Sequence, residues 1–288
     1  FPEGSEAIAN PRGTAPGVWM EVPRVGGAAC QVAAMPGVPS ERQAMFFDSV
    51  RPRLRRPADR AYIRRARVNI FGLGESQCEE MLGDLTARGR DPEVGITVHE
   101  ATITLRIEAH GDTVEQCEYK IDDAKRIARD RLGDAVFGEE DDELQDVITR
   151  LLLTSGQTVG TAEAGTGGLI GSWLSSVRNP ARFSGGLVAP HRRDLQRTLP
   201  GVGDESSAAD LAAACRQQFG TDFGLVAFVD DTATPEPRAW VALASATHTE
   251  ARDFAFTRDP AIRRPWLSKS ALNLLRLHLG GNQGPTGP

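Results

Sequence analysis

At 288 residues the chain is long enough to bury a substantial core, and one to three domains fit that length. Hydrophobic residues make up 40% and charged residues 25%, an ordinary globular profile. No run approaches the ~20 apolar residues of a membrane span, no signal-peptide pattern is read in the opening residues, and a net charge of −6 argues against a general polyanion-binding surface while leaving room for a local patch.

In chain order, the first 50 residues are rich in turns. Gly13-Thr14-Ala-Pro-Gly17 is one rigid segment. Met35-Pro36-Gly37-Val-Pro39 is another, after a strand-like apolar run over Ala28–Met35. Such loops could line a cofactor pocket or be plain turns. Ser40 is placed to cap a helix carrying Met45, Phe46 and Val50. One strand and one helix make too little for an independent core, so this stretch reads as the last portion of a larger α/β domain. Arg51, Arg53, Arg55, Arg56, Arg60, Arg64, Arg65 and Arg67 follow, opposed only by Asp59. They read as a solvated linker that pairs with acidic helices elsewhere, a phosphate-contacting strip being the alternative.

Residues 67–132 predict strand, helix, strand, strand, helix. The first strand is Arg67–Phe71 and the first helix Glu75–Arg88. Val94, Ile96 and Val98 alternate, as do Ile103, Leu105, Ile107 and Ala109, which is the mark of an antiparallel pair. Val114, Cys117, Ile121, Ala124, Ala128 and Leu132 keep helical spacing. This is a compact layer with both helices on one sheet face. No Gly-x-x-Gly clamp for nucleic acid occurs between residues 60 and 140, so a scaffold or dimerisation module is expected. His99 and His110 lack companions at ligand spacing, and no metal site is expected. The four cysteines, Cys30, Cys78, Cys117 and Cys215, form no CxxC and read as buried thiols of a reducing, cytoplasmic compartment.

The acidic run Glu139–Glu143 suits the positive end of a helix that carries Leu144, Val147, Ile148, Leu151 and Leu152 and ends at Gly156. Next comes the stretch on which the chain turns: Thr161-Ala-Glu163-Ala164-Gly165-Thr166-Gly167-Gly168, between a strand at Thr158–Ala162 and an apolar helix at Leu169–Val177. Strand, tight glycine turn and helix start point backbone N–H groups at a ligand. Thr166 is expected to cap the helix or turn the chain. A strand at Leu187–Ala189, a helix at Asp204–Phe219, a fully apolar strand at Phe223–Val229, a strand at Ala239–Ala244 and a closing helix at Ser270–Leu279 complete a layered α/β/α domain.

Several of these motifs together resemble the CinA family, the relatives of competence/damage-inducible protein A. They are Gly13–Gly17, Pro36–Pro39 with Glu41 and Met45, Gly72-Leu-Gly-Glu-Ser76, Ala162-Glu163, Thr166–Gly168, Phe183 with Gly185-Gly186, and Phe219-Gly-Thr-Asp222 with Gly224-Leu225. The resemblance spans nearly the whole chain. It implies an α/β multidomain architecture: the end of a molybdopterin-binding-like α/β domain (1–57), a KH-like α+β module (58–138), a three-layer α/β/α domain (139–280) and a flexible tail (281–288). It also implies ADP-ribose pyrophosphatase activity for an intact N-terminal domain. For the C-terminal domain it implies deamidation of nicotinamide mononucleotide to nicotinic acid mononucleotide and ammonia.

The implied chemistry does not carry over residue by residue. The family pattern Ala-Glu-Ser-Cys-Thr-Gly-Gly supplies a serine nucleophile, and here that position is Ala164, with Gly165 in place of the cysteine. A methyl group cannot attack an amide carbon. The assisting tyrosine and lysine positions hold Pro190 and Leu195, and the family's Thr-Gly-x-x-Gly-Pro ligand loop falls on Phe228–Thr234 without its glycines. The expected arginine is Pro260, with Arg258 and Arg263 close by. What the resemblance still implies is ligand contact at Glu163, Gly165, Thr166, Gly167, Gly168, Gly185 and Gly186, and a pocket remnant at Gly13, Thr14, Gly17, Pro36 and Gly37. A catalytically impaired family member that binds a nucleotide (nicotinamide mononucleotide or an ADP-ribose-like one) or acts as a scaffold is therefore expected. Homodimerisation is expected too; no cofactor is, a divalent metal belonging only to an intact N-terminal domain. The alternatives are an active amidase using Thr166 or Ser184 with His191 as base, and a nucleic-acid-associated module resting on the arginine run.

Overall fold

The computed structural model describes residues 1–54, 62–230, 238–255 and 260–281. It divides into two compact units, Phe1–Ala61 and Tyr62–Pro288. No described helix is long and apolar enough to cross a membrane.

The first unit holds three antiparallel strands, not one: β1 (Glu6–Ile8), β2 (Gly17–Arg24) and β3 (Gly27–Ala34), in the order β1-β2-β3. β1 is too short and β2 too polar in its outer half for either to announce itself in sequence. Ile8, Trp19, Met45 and Val50 form its small core. Helix α1 (Pro39–Met45) starts one residue before Ser40, with Val38 at the N-cap and Pro39 at the first helical position, so Ser40 does not cap it. The first turn segment lies beside α1: Asn10 donates to Glu41 Oε2 at 2.8 Å, and the Glu41 carboxylate lies directly over Gly13.

The second unit begins with a four-stranded antiparallel sheet in the order β5-β6-β4-β7: β4 (Tyr62–Ile70), β5 (Glu93–His99), β6 (Thr102–Gly111) and β7 (Val136–Glu139). The alternation read from sequence places Ala66, Val68, Ile70, Ile103, Leu105, Ile107 and Ala109 on one face. There they meet Cys78 and Leu82 of α2 (Glu75–Leu82) and Cys117, Ile121, Ala124, Ala128 and Leu132 of α3 (Val114–Leu132). Thr113 caps α3, its hydroxyl accepting from the Gln116 amide at 3.2 Å. Two findings depart from expectation. Helix α2 gives way to a 3₁₀ turn at Gly83–Thr86, and the fourth strand, β7, takes in Glu139 from the acidic run. A four-residue strand carries too little alternation to be read.

The C-terminal part is a five-stranded sheet in the order β12-β11-β10-β8-β9. Strands β8 (Val159–Ala164), β9 (Phe183–Ala189) and β10 (Phe223–Asp230) run parallel, while β11 (Arg238–Ala244) and β12 (Thr249–Ala255) extend the sheet antiparallel. All eight residues of β10 are buried, as its unbroken apolar run requires. One face is covered by α4 (Leu144–Ser155), α5 (Leu169–Ser176) and α8 (Pro260–Gly281), the other by α6 (Arg192–Thr198) and α7 (Ala208–Phe219). Gly224 lets the α7 backbone lie directly on β10, where any Cβ would collide with Ala212 and Arg216. Glu143 and Asp146 close a capping box on α4, and Gly156 ends that helix in the left-handed conformation.

Two elements here were not read from sequence, and the closing helix is longer than its pattern. Helix α6 is seven residues of mostly polar character, β12 is an exposed edge strand without alternation, and α8 begins ten residues before Ser270 despite Pro265. Helix α7 starts at Ala208, later than Asp204, because Ser207 and Asp210 form its capping box.

Within this unit the middle and C-terminal modules are tied by buried contacts. Lys269 of α8 is 3% exposed, and its Nζ donates to Thr102 Oγ1 at 2.7 Å and to Glu143 at 3.4 Å. Arg276 donates to the Asp134 carbonyl, and Phe71 sits in the C-terminal core. Of the arginine run, Arg53 pairs with Glu6, Arg65 with Glu108, and Arg67 with Asp141. Arg55, Arg56 and Arg60 lie outside the described residues, as do the ligand-loop positions 231–234, Arg258 and the tail at 282–288.

Candidate functional site

The carboxyl ends of β8, β9 and β10 form one rim. From β8 the chain leaves into α5 on one face of the sheet, and from the adjacent β9 into α6 on the other. Neighbouring parallel strands whose connections part to opposite faces leave a crevice at their carboxyl ends, the usual ligand position in such a sheet. The glycine turn lies there.

Its shape comes from backbone geometry. Gly165, Gly167 and Gly168 have φ of +89°, +73° and +83°, values that side-chain-bearing residues rarely adopt. Gly165 also packs so closely on Val229 that a Cβ would stand 2.8 Å from its Cγ2. Just before the turn, Glu163 points inward and is fully buried. Its carboxylate accepts from the Ile170 amide at 3.0 Å, the Gly171 amide at 2.7 Å and the Thr166 hydroxyl at 2.7 Å. The second and third amides of α5 are therefore satisfied by an internal carboxylate rather than presented to a ligand. Thr166 does not cap the helix. Gly168 is the N-cap residue without a side-chain bond, and Glu163 performs the capping from the preceding strand.

Two of the positions where the family pattern places its chemistry are apolar and packed together, while Pro190 is exposed just after β9. Ala164 and Leu195 are both buried and belong to the same cluster, with Ala162, Leu199 and Val226. Leu195, on α6, fills space where a lysine ammonium would have to be desolvated. The chain holds only three lysines, and none is at the rim. Lys120 bonds Asp91, Lys125 bonds Glu139, and Lys269 bonds Thr102 and Glu143. Of the substitute nucleophiles, Thr166 is committed to Glu163. Ser184, Gly185 and Gly186 sit at the start of β9, opposite Val159–Thr161 and away from Ala164, which pairs in register with Ala189. Gly185 and Gly186 serve close packing against Phe219 and Thr161. Gly13, Thr14, Gly17, Pro36 and Gly37 belong to the first unit, where a Cβ on Gly17 would stand 2.8 Å from the Ala34 carbonyl and one on Gly37 would meet open space.

What the structure adds at the rim is basic. A cavity of about 320 Å³ is lined by His191, Arg192, Arg193, Gln196, Asp204, Val229 and Asp230. Arg192 bonds Asp230 Oδ2 at 2.6 Å and the Ser206 carbonyl at 2.8 Å, with its guanidinium 5.3 Å from the Phe228 ring centroid. Arg193 is exposed beside it. On the other side of the turn the guanidinium of Arg264 comes within 4 Å of a Cβ built on Gly167. None of these arginines was singled out from sequence. The pair Arg192–Arg193 directly after a strand end was the available signal. Among the described residues no cluster of histidine, cysteine or carboxylate side chains is arranged to hold a metal ion.

A small antiparallel α+β module joined to a doubly wound α/β/α domain, with a glycine turn at the switch point of its parallel strands, defines the class. Residues 65–138 match the family described as the damage-inducible protein CinA KH domain, and residues 141–279 the CinA C-terminal domain. The CinA-like protein of Synechococcus sp. (strain RCC307) is 32% identical over 300 residues, covering 97% of this chain and 70% of that protein. The CinA-like protein of Frankia casuarinae is 31% identical over 303 residues, covering 98% and 68%. The chain belongs to the CinA family. It spans between 54% and 71% of the length of eight curated relatives that it matches. A solved structure, competence damage-inducible protein A (ComA) from Klebsiella pneumoniae, covers 49% of this chain and 97% of its own length at 20% identity, with a TM-score of 0.43.

Proposed function

We propose that this CinA-family chain binds a phosphate-bearing pyridine nucleotide at the β8–β9–β10 rim without hydrolysing its amide. The observation that carries the reading is the paired loss at Ala164 and Leu195, both sealed in one apolar cluster. A nucleophile needs a hydroxyl or thiol beside a base. Among the described residues the turn's hydroxyl is bonded to Glu163, and all three lysines are engaged elsewhere. Binding is supported by the crevice itself and by the basic side chains around it, since arginine forks match phosphate geometry. The same reading takes the first unit as the end of a molybdopterin-binding-like domain and the assembly as a homodimer. A reducing, cytoplasmic setting is supported by three buried free thiols.

The test is calorimetric titration of nicotinamide mononucleotide into the full chain, with ammonia release assayed alongside. Saturable binding without ammonia is the expected result. Ammonia release would overturn the loss of hydrolysis, and absence of binding would overturn the nucleotide site.

A further inference from the structure

The crevice between the middle and C-terminal modules holds a second cavity, of about 540 Å³, which the rim chemistry does not involve. Its apolar walls are Phe71 and Leu73 from the loop after β4, Phe254 from β12, and Trp266 and Leu277 from α8. Trp266 and Phe254 meet edge to face, with centroids 4.8 Å apart at 90°, so the indole is braced by a second ring. A volume of this size, aromatic walls and a few convergent polar groups at a junction of modules are the properties of a small-molecule pocket.

The polar groups are of both kinds. Asn273 Oδ1 accepts from Arg276 Nε at 2.8 Å, which fixes the amide orientation and turns Nδ2 toward the loop. That nitrogen is 3.9 Å from a Cβ built on Gly72, whose φ of +93° holds the loop in place. Among the described residues the amides of Gly72, Leu73 and Gly74 donate to no backbone carbonyl. Asp134 lines the same cavity and brings an acceptor carboxylate. Two cations stand here: Arg252 is bonded to Glu250 through Nε at 2.8 Å and Nη2 at 2.7 Å, and Arg276, behind Asn273, donates to Asn273 Oδ1 and to the carbonyls of Val136 and Asp134. A neighbouring cavity on the far side of the loop and Trp266 is rimmed instead by Glu75 and Glu100. Both arginines thus already have partners, and neither is held open for an anion.

We propose that this cavity binds an uncharged, planar heteroaromatic ring of the purine class, its ring nitrogens accepting from Asn273 and the loop amides and its exocyclic amine donating to Asp134. The ring lies against Trp266, and because its contacts come from both modules, its binding fixes their junction. The preference is opposite to that of the rim, where a phosphate is favoured.

Adenosine is titrated calorimetrically into the full chain, with adenosine monophosphate as the charged comparison. One saturable site is expected for adenosine, with the monophosphate at least fivefold weaker because its charge meets the Asp134 carboxylate and finds both arginines already partnered. Trp266→Leu is expected to weaken adenosine at least tenfold and Asn273→Ala about fivefold, each variant checked for native circular dichroism. Trp266→Phe, which keeps an aromatic wall, stands in if the leucine variant does not fold. Absence of saturable adenosine binding, equal affinity for the monophosphate, or parental affinity in the folded variants would overturn the proposal.

Discussion

Replacing Glu163 is the sharpest test of how the glycine turn is held. The carboxylate is fully buried and accepts three hydrogen bonds, from Thr166 Oγ1, Ile170 N and Gly171 N, all between 2.7 and 3.0 Å. Hydrogen bonds to a charged group contribute about 1.5–3 kcal/mol each, and every buried donor left without a partner costs about 1–3 kcal/mol. Three such bonds give a gross loss of roughly 5–9 kcal/mol on those values. Relief from desolvating the carboxylate offsets part of it. Glu163→Ala is therefore expected to destabilise the second unit by about 3–5 kcal/mol, within the range of breaking a buried charge network. Glu163→Gln keeps one acceptor oxygen but turns an NH₂ toward a donor, and is expected to cost about half as much. The assay is urea unfolding followed by far-ultraviolet circular dichroism, comparing midpoints at unchanged slope. A loss below about 1 kcal/mol for Glu163→Ala would refute internal capping of α5, and the turn would then owe its shape to the glycines alone.

Two further predictions concern titratable groups. His278, near the end of α8, stacks on His248 with ring centroids 5.3 Å apart and meets Phe223 edge on; burial first, and then the neighbouring His248, push its pKa below the ordinary value, with Glu250 pulling the other way. The folded state thus binds fewer protons than the unfolded chain, so this contribution to stability is full above the ordinary histidine value of about 6.5 and is lost as pH falls through the folded one. Melting temperatures measured from pH 8 to pH 5 are expected to fall less steeply for His278→Gln than for the parent; identical slopes would rule the effect out. Cys215 lies under β10, where burial pushes its thiol up to about 12, and burial also raises Cys78, whereas Cys30 is only partly buried. Brief alkylation of native protein near pH 8, read by peptide mass spectrometry, is expected to label Cys30 and spare Cys215. Comparable labelling of both would contradict the packing of α7 on the sheet.

Sequence alone determined the elements whose stability is periodic or local. Alternation in β5 and β6, helical spacing in α3 and α4, and the unbroken apolar run of β10 each expose a pattern that burial must satisfy. The loss of a nucleophile at Ala164 was legible for the same reason: the identity of a side chain needs no fold to be read. Tertiary structure decided the rest. Strands β1, β7 and β12 and helix α6 are too short or too exposed to carry a pattern, and they exist because neighbouring strands and faces offer them partners. Strand pairing also separated residues that sequence had grouped, setting Gly185, Gly186 and Ser184 at the opposite end of β9 from the rim. It brought Arg192, Arg193 and Arg264 together around the turn from α6 and α8. Glu163 shows the division most plainly. Its place before the glycines was written in the chain, but whether its carboxylate faced a ligand or the N-terminus of α5 depended on where that helix packs. Burial then required it to accept bonds from the amides that the helix leaves unpaired.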